Sequence, residues 1–127
     1  MPLSKRIMAV GASAELAKAT NGQFANLPAG VGTTQAGATA ISADINVIVT
    51  SSAGNTAFIL PNDAITSDSL DIMTASGITA SALIYPPVGG TINGGGTNAS
   101  ITMAAGTSAT FWCTANLTWL TNPKTPS

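Results

Sequence analysis

Residues 82–94 read ALIYPPVGGTING, and this stretch contains the clearest structural signals in the chain. The pair Pro86-Pro87 fixes two φ angles and lacks two N–H donors, so a strand that includes Tyr85 must end there. The pair Gly89-Gly90 permits a reversal through positive φ, and Asn93-Gly94 favours a tight hairpin. The stretch therefore predicts a stiff corner between two β-strands.

Short runs with strand character recur on both sides of this corner, separated by clusters of Gly, Pro, Asn and Ser. The runs are Ala43–Thr50, Thr56–Leu60, Ser69–Ala75, Ser81–Tyr85, Ala99–Met103, Ser108–Thr114 and Leu117–Leu120. Turn signals at intervals of about 8–12 residues predict an all-β fold of about seven strands, either an antiparallel β-sandwich or a jelly-roll-like barrel. A long antiparallel meander is the alternative.

The run Ser108–Thr114 alternates between the two faces of its predicted strand. Because successive side chains point to opposite faces, Phe111 shares one face with Cys113, whereas Trp112 lies on the other. We predict that Phe111 is a core residue and that Trp112 is a subunit contact. Cys113 has no cationic neighbour in this apolar run, so we interpret it as a small core residue rather than a reactive thiol.

Residues 1–40 differ from the rest and predict an N-terminal arm that precedes a β-sandwich domain of residues 41–127. A short helix is predicted over Ser13–Ala19, with a serine as N-cap, an acidic residue in the first turn and Lys18 in the last. Residues 21–40 are rich in Gly, Ala, Asn and Thr. They predict an extended connection or, alternatively, a surface loop of one compact domain.

The chain is poor in charge, since 7% of its residues are charged against about 25% in an average soluble domain. Either hydroxyl and amide side chains hydrate the surface, or other subunits cover much of it. Low charge promotes association and therefore favours the second interpretation. The net charge of -1 and the lack of a basic patch argue against nucleic-acid binding.

The residue types exclude most routes to catalysis. The sequence has no histidine, and its single cysteine excludes an intrachain disulfide. Asp63, Asp68 and Asp71 are interpreted as solvated acids, because their spacing fits neither an EF-hand loop nor a catalytic carboxylate pair. Gly94–Gly96 lacks the Lys-Ser/Thr of a phosphate-binding loop. We therefore predict no enzymatic activity, no cofactor and no metal site.

No stretch of the sequence reaches the ~18–20 apolar residues that a membrane-spanning helix needs. The start of the chain carries Lys5 and Arg6, but Gly11 and Glu15 interrupt the apolar stretch that follows. These residues make a poor signal peptide. We expect a protein that does not associate with membranes and is made and used in a cytoplasm.

Residues 33–120, about two thirds of the chain, resemble a family of small proteins found in tailed bacteriophages and prophages. The most specific part of the resemblance is the segment Tyr85–Asn93, with the pattern YPPxGGxIN. The other matching features follow in the same order along the chain: Gly32–Ala36, Ile41, Asp44–Val47, Ala57–Pro61, Leu70–Met73, Ala105–Thr107, Thr110–Cys113 and Trp119.

The resemblance implies a virion component, and some members of this family act as capsid decoration or cement proteins. We therefore expect a structural protein on the capsid surface, synthesised in the host bacterial cytoplasm. It would bind the major capsid protein, bridge its subunits and form a homotrimer. The expected capsid-docking residues of the arm are Lys5, Arg6, Ile7, Leu16 and Lys18. The expected corner or oligomer contacts are Tyr85, Pro86, Pro87 and Trp112.

Two other functions are weighed against this one. A tail-fibre or receptor-binding module that recognises host surface glycans would use Trp112 and Trp119 as a stacking platform, although packing is the commoner role of such residues. An enzyme such as a polysaccharide depolymerase is the least favoured, because no catalytic constellation is present. The corner around Pro86 serves either as a contact loop at a particle interface or as a fold-defining element, and we favour the second.

Overall fold

The computed structural model describes residues 24–122, and this part of the chain is almost entirely β-structure. A single turn of 3-10 helix, Gln35–Gly37, lies between the first two strands. The strands are β1 (Phe24–Leu27), β2 (Thr39–Ala40), β3 (Ile45–Ile48), β4 (Ala57–Ile59), β5 (Ser69–Thr74), β6 (Ala82–Tyr85), β7 (Thr91–Ile92), β8 (Ile101–Met103), β9 (Ser108–Ala115) and β10 (Thr118–Asn122).

The strands form two mixed sheets. One has six strands in the order β1-β3-β5-β9-β10-β7, and the other has four in the order β2-β4-β6-β8. Each of the seven predicted runs overlaps one strand, so the all-β prediction is confirmed; the predicted count of about seven is too low, because β1, β2 and β7 lie outside those runs. The prediction of antiparallel sheets is wrong, because β1, β3 and β5 are mutually parallel, as are β2, β4 and β6. Among the strands of residues 24–122, antiparallel pairing is confined to β5–β9, β9–β10 and β6–β8.

The parallel pairs arise because the chain alternates between the two sheets from β1 to β6. Each time the chain returns to a sheet, it adds a strand that runs parallel to the previous strand of that same sheet. The registers place aligned residues 21 and 26 positions apart in the first sheet and 19 and 26 apart in the second. These unequal lengths explain why the sequence displays no repeat of fixed period.

One hydrophobic cluster takes side chains from both sheets. Ile48, Ile72 and Phe111 enter it from the six-stranded sheet, and Phe58 and Ile84 enter it from the four-stranded sheet. Burial alternates along the strands as the period of two requires. Full burial of a side chain of this size contributes ~1.5–3 kcal/mol, so these residues dominate the stability of the fold. The prediction that Phe111 is a core residue is confirmed.

Two short strands, β1 and β2, lie within residues 21–40, where the sequence predicted either an extended connection or a surface loop. β1 pairs with β3, β2 pairs with β4, and Leu27 is buried in the shared core. The strands therefore begin before the predicted domain boundary at residue 40. β1 and β2 have four and two residues, which are too few to show a clear alternation of polar and apolar side chains, so backbone pairing defines them. The predicted helix Ser13–Ala19 lies outside the described residues.

The corner after β6 forms as predicted, and it is part of the fold. Pro86 and Pro87 are buried, and the hydroxyl of Tyr85 donates to the carbonyl of Thr33 at 2.6 Å. The side-chain amide of Gln35 donates to the carbonyl of Pro86 at 2.8 Å. These bonds tie the corner to the segment between β1 and β2. The corner thus acts within its own chain, in agreement with the fold-defining interpretation.

The turn at Asn93-Gly94 is also present, but it does not make a hairpin. Both residues have positive φ, 56° and 73°, and the N–H of Gly95 donates to the carbonyl of Ile92 at 3.0 Å. This geometry matches the tight turn that an Asn-Gly pair favours. The strand before the turn, β7, pairs with β10 in the parallel direction instead of with the residues that follow. Local turn chemistry was therefore predictable, whereas the partner strand was not.

Candidate interaction surfaces

The outward side of the six-stranded sheet, called here the outer face, is a candidate contact surface. Its first row joins Phe24, Ile45, Asp71, Thr110 and Asn122, which are aligned across five strands. All five point away from the core because their neighbours along each strand point into it. The outer face therefore spans about 20 Å across the strands at ~4.8 Å per strand.

Apolar side chains occupy both halves of the outer face. Trp112 and Leu120 are directly opposite each other on β9 and β10, and each is 44% exposed. Phe24 is 64% exposed at the β1 edge, beside the half-buried residues Ile45 and Val47. Single exposed apolar residues are common on soluble proteins, whereas adjacent ones that form a patch mark interaction sites; because Trp112 and Leu120 are adjacent, the outer face is a candidate contact surface.

Charge is nearly absent from the outer face. Asp71 carries the single charge on it among the described residues, and its Oδ1 accepts a hydrogen bond from the hydroxyl of Thr110 at 2.6 Å. A partner that covered this face would desolvate one carboxylate that already holds a hydrogen bond. Desolvation of charge is a major penalty on association, and here it is small.

The residues of the predicted corner contact are placed differently from Trp112. Pro86 and Pro87 are buried, and Tyr85 is half-buried and bonded to its own chain. The exposed residue at this corner is Val88, at 69% exposure, which the sequence analysis did not single out. Only Trp112 of the four predicted contacts presents a largely accessible side chain to a partner.

A cleft of ≈ 340 Å³, called here the acidic cleft, lies where the strands β3 and β5 begin. Asp44, Asp63 and Asp68 line it, together with Leu70 and Trp119. Three separate segments supply these aspartates: the residue before β3, the loop after β4 and the residue before β5. The cleft therefore exists only in the folded chain, and the sequence analysis missed it.

Buried hydrogen bonds hold the walls of the acidic cleft in place. The side chain of Asn46 accepts from the N–H of Ala43 at 3.2 Å and donates to the carbonyl of Ala43 at 2.7 Å. On the other wall, Oδ2 of Asp68 accepts from the N–H of Ile65 at 3.0 Å. These short-range hydrogen bonds fix the backbone beside Asp44 and beside Asp68. The two carboxylates therefore lie on walls of defined conformation.

Trp119 lines the acidic cleft but is 1% exposed, and its indole Nε1 has no acceptor among residues 24–122. An unsatisfied buried donor costs ~1–3 kcal/mol. Trp119 and Trp112 also point to opposite sides of the six-stranded sheet. The two tryptophans therefore cannot form the sugar-stacking platform that was considered from the sequence.

Cys113 is buried, and its thiol donates to the carbonyl of Ala115 at 3.2 Å. Burial raises the pKa of the Cys113 thiol, and the negative charge of Asp68 raises it further. Both effects disfavour the thiolate, which is the nucleophilic form. The interpretation of this cysteine as a core residue is confirmed.

Within residues 24–122, no three acidic or sulfur side chains lie close enough together to hold a metal ion. In the same part of the chain, no helix has the length and apolar character needed to cross a membrane. The predicted arm residues lie outside the described residues: Lys5, Arg6, Ile7, Leu16 and Lys18.

Sequence reasoning placed Trp112 outward but missed the other exposed apolar residues of the outer face. Leu120 had a usable signal, because it alternates with Trp119 in the run Leu117–Leu120. Phe24 had no such signal, because the strand that contains it, β1, was not predicted.

Comparisons of this chain with protein-family models, curated proteins and solved structures found no match. The resemblance to phage virion proteins therefore stands on the residues quoted for it alone.

Proposed function

We propose that this chain is a non-enzymatic structural protein of a tailed phage. It would bind the outer surface of the capsid and stabilise the shell by bridging major capsid subunits. The observation that carries the proposal is the outer face, a six-stranded sheet surface with exposed Trp112 and Leu120 and one carboxylate. Such a surface suits a protein that functions in contact with other subunits.

A cement role follows physically from binding that is selective for the assembled shell. A ligand that binds one state and not the other shifts the equilibrium toward the bound state by mass action. A protein that contacts two neighbouring capsid subunits has its complete site only on the shell. Its presence on the particle would then raise the temperature or the denaturant concentration at which the shell dissociates.

The proposed architecture adds two features to the observed sheets. First, we infer that the two mixed sheets pack face to face as a sandwich, because one hydrophobic cluster takes side chains from both. Second, we infer that the outer face mediates self-association into a homotrimer, with Trp112 and Leu120 in the contact. The trimer is drawn from the family resemblance, and the outer face supplies a surface suited to it.

The arm is the proposed contact with the capsid. Residues 1–23 carry three of the four basic residues of the chain, Lys5, Arg6 and Lys18, together with the apolar residues Ile7 and Leu16. The described residues 24–122 carry only acidic charges. A basic segment attached to the acidic part of the chain can reach a neighbouring subunit that the two sheets do not touch.

Cryo-electron microscopy of virions from the phage that encodes this chain tests the proposal. We expect density for the two sheets of residues 24–122 on the outside of the head, at the junctions between major capsid subunits. A comparison of particles with and without the protein should show earlier thermal rupture of the bare shells. Absence of the chain from the head, or density confined to the tail, would reject a capsid role.

A receptor-binding module of the tail is the second candidate. The observation that favours it is Trp112, an exposed aromatic side chain flanked on its own strand by Thr110 and Thr114. An aromatic ring among hydroxyl groups is able to stack on a sugar. Competition of the purified protein with phage adsorption to host cells separates the two candidates, because a capsid cement protein has no effect on adsorption.

A further inference from the structure

The turn after β7 contains an Asn-Gly pair, Asn93-Gly94, and this pair is chemically reactive as well as structural. Asparagine is a thermally labile residue, because the backbone nitrogen of the next residue can attack its side-chain amide. A glycine in the next position favours the attack most, since it has no side chain to hinder its own nitrogen. Within residues 24–122, Asn93-Gly94 is the one such pair. The chain has another at Asn21-Gly22, outside the described residues.

The reaction needs water and no other partner. The backbone nitrogen of Gly94 gives up its proton and attacks Cγ of Asn93. A bond between this nitrogen and Cγ forms, the bond from Cγ to Nδ2 breaks, and Nδ2 leaves with a proton as ammonia. Water then opens the resulting succinimide ring. Cleavage of the bond from nitrogen to Cγ gives aspartate, and cleavage of the bond from nitrogen to the α-carbonyl carbon gives isoaspartate, whose main chain runs through Cβ and Cγ. Each product carries one new carboxylate.

The folded turn keeps the reacting atoms of this pair apart. Asn93 has a φ of 56°, which lies in the left-handed region. In that region ψ is about +47°. At this ψ the tetrahedral geometry of Cα places Cβ of Asn93 nearly anti to the nitrogen of Gly94, whereas a closed succinimide ring requires Cβ and that nitrogen to be nearly eclipsed. The ring therefore cannot close until the ψ angle of Asn93 has rotated through a large angle.

Hydrogen bonds on both sides of this ψ angle oppose the rotation. The N–H of Asn93 donates to the carbonyl of Trp119 at 2.9 Å, and the N–H of Gly95 donates to the carbonyl of Ile92 at 3.0 Å. The side-chain amide of Asn93 pairs with Thr121 on β10. Its Oδ1 accepts from the N–H of Thr121 at 2.9 Å, and its Nδ2 donates to Oγ1 of Thr121 at 2.9 Å. The side chain of Asn93 thus continues the pairing of β7 with β10 where the backbone turns away.

We propose that Asn93 is a deamidation site that the folded turn keeps unreactive, and that its conversion to isoaspartate after local opening releases β7 from β10 irreversibly. β7 has two residues and lies at the edge of its sheet, and segments with few backbone hydrogen bonds open locally more readily than a core does. Isoaspartate adds one carbon atom to the main chain at position 93. The bonds to Trp119 and to Thr121 then no longer fit at the same time, so the opened turn does not close again.

The site is a property of the isolated protein and goes beyond the proposed capsid role. A structural protein that is not replaced during the lifetime of a particle accumulates such changes with age. The hydrogen bonds between Asn93 and Thr121 therefore limit how fast this edge of the sheet is lost.

Peptide mapping by mass spectrometry, after incubation of the full-length protein at mildly alkaline pH, measures the deamidation rate at Asn93. We expect this rate to be at least about tenfold lower in the folded protein than in urea, because only the locally opened fraction reacts. Asn21 is the reference in urea, where both Asn-Gly pairs should react at similar rates. Thr121→Val removes the acceptor of Nδ2 and keeps the shape of the side chain. It should raise the rate in the folded protein about two- to tenfold, the factor that one net hydrogen bond represents.

Two matched variants control for effects other than the lost hydrogen bond. Thr121→Ser keeps the hydroxyl and should keep the low rate at Asn93. Thr102→Val changes an exposed threonine of β8 in the other sheet and should leave the rate unchanged. Thermal denaturation of each variant separates local opening of the turn from a general loss of stability.

Asn93→Asp separates the new charge from the longer main chain. Amide hydrogens around β7 should exchange in this variant as in the unmodified protein, whereas they should exchange faster in the isoaspartate form. Equal rates at Asn93 in the folded protein and in urea, equal effects of Thr121→Val and Thr102→Val, or an isoaspartate form with unchanged exchange would each overturn the proposal. None of these measurements involves a particle, so loss of the capsid role leaves them interpretable.

Discussion

Replacement of Phe111 by alanine tests which face of β9 belongs to the core. The ring is 0% exposed and lies between Leu70 on β5 and Thr121 on β10, both of which are buried. Removal of a fully buried phenylalanine ring loses its transfer free energy and leaves a cavity that neighbouring strands fill only partly. The expected destabilisation is about 3–5 kcal/mol.

That loss is a large part of the ~5–15 kcal/mol by which single domains are stable, so we expect little folded Phe111→Ala to accumulate in the cell. Phe111→Leu is therefore the milder companion variant. It retains most of the apolar volume and should cost about 1–1.5 kcal/mol, which corresponds to a drop in Tm of ~5–10 °C. Urea and thermal denaturation of the purified chain, followed by far-UV circular dichroism, measure both variants.

The control on the same strand is Trp112→Ala, whose side chain lies on the outer face and is already 44% exposed. Its effect on the unfolding of the isolated subunit should be about 1 kcal/mol, the centre of the distribution for single substitutions. If Phe111→Leu unfolds like the unmodified protein and Trp112→Ala prevents folding, the faces of β9 are assigned the wrong way round. The contact surface would then have to be sought on the Cys113 side of the strand.

Four further outcomes are expected. The double variant Trp112→Ala with Leu120→Ala should dissociate the proposed oligomer in sedimentation experiments while it retains a folded subunit, and an unchanged sedimentation coefficient would exclude the outer face as the contact. Deletion of residues 2–20 should leave the two sheets folded by circular dichroism but abolish binding to shells in co-sedimentation, and full occupancy of shells by the truncated protein would contradict the arm proposal. Gly90→Ala should lower Tm markedly, because an added Cβ would clash with the backbone carbonyl oxygen of Leu117; an unchanged Tm would show that this loop rearranges at little cost. Cys113 should react with a thiol reagent at pH 8 to 9 much more slowly than in urea, because burial raises the pKa of its thiol and the thiolate reacts; equal rates would show that the site is open.

The sequence predicted the faces of the strands better than it predicted their partners. Alternation in Ser108–Thr114 assigned Phe111 to the core and Trp112 to the outside, because a period of two is a property of a single strand. The direction of the neighbouring strand produces no pattern in the sequence of a single strand. A strand of the type found in β3 can pair with a parallel or an antiparallel neighbour, so the mixed sheets could not be read from alternation.

The two features of the candidate surfaces that sequence analysis missed, Phe24 and the acidic cleft, also depend on which strands lie side by side. β1 and β2 are too short to show a pattern, so the exposed position of Phe24 could not be predicted. The acidic cleft assembles from Asp44, Asp63 and Asp68, which three different segments contribute. In the sequence they are isolated acids, and only the return of the chain to the same end of the sheet brings them together.

The alternation of the chain between two sheets constrains the order in which the protein can fold. Among the described strands, β9 and β10 are the only neighbours in sequence that also pair, through a two-residue connection in which Leu117 has a φ of 60°. Every other pair must first close a longer segment of chain, up to the 43 positions that separate Ser69 from Trp112. Loop closure of this kind slows folding, so we expect refolding on the millisecond-to-second scale of proteins with mostly non-local pairing. The hairpin at the C-terminal end is the one local nucleus, and it is the last part of the body to leave the ribosome.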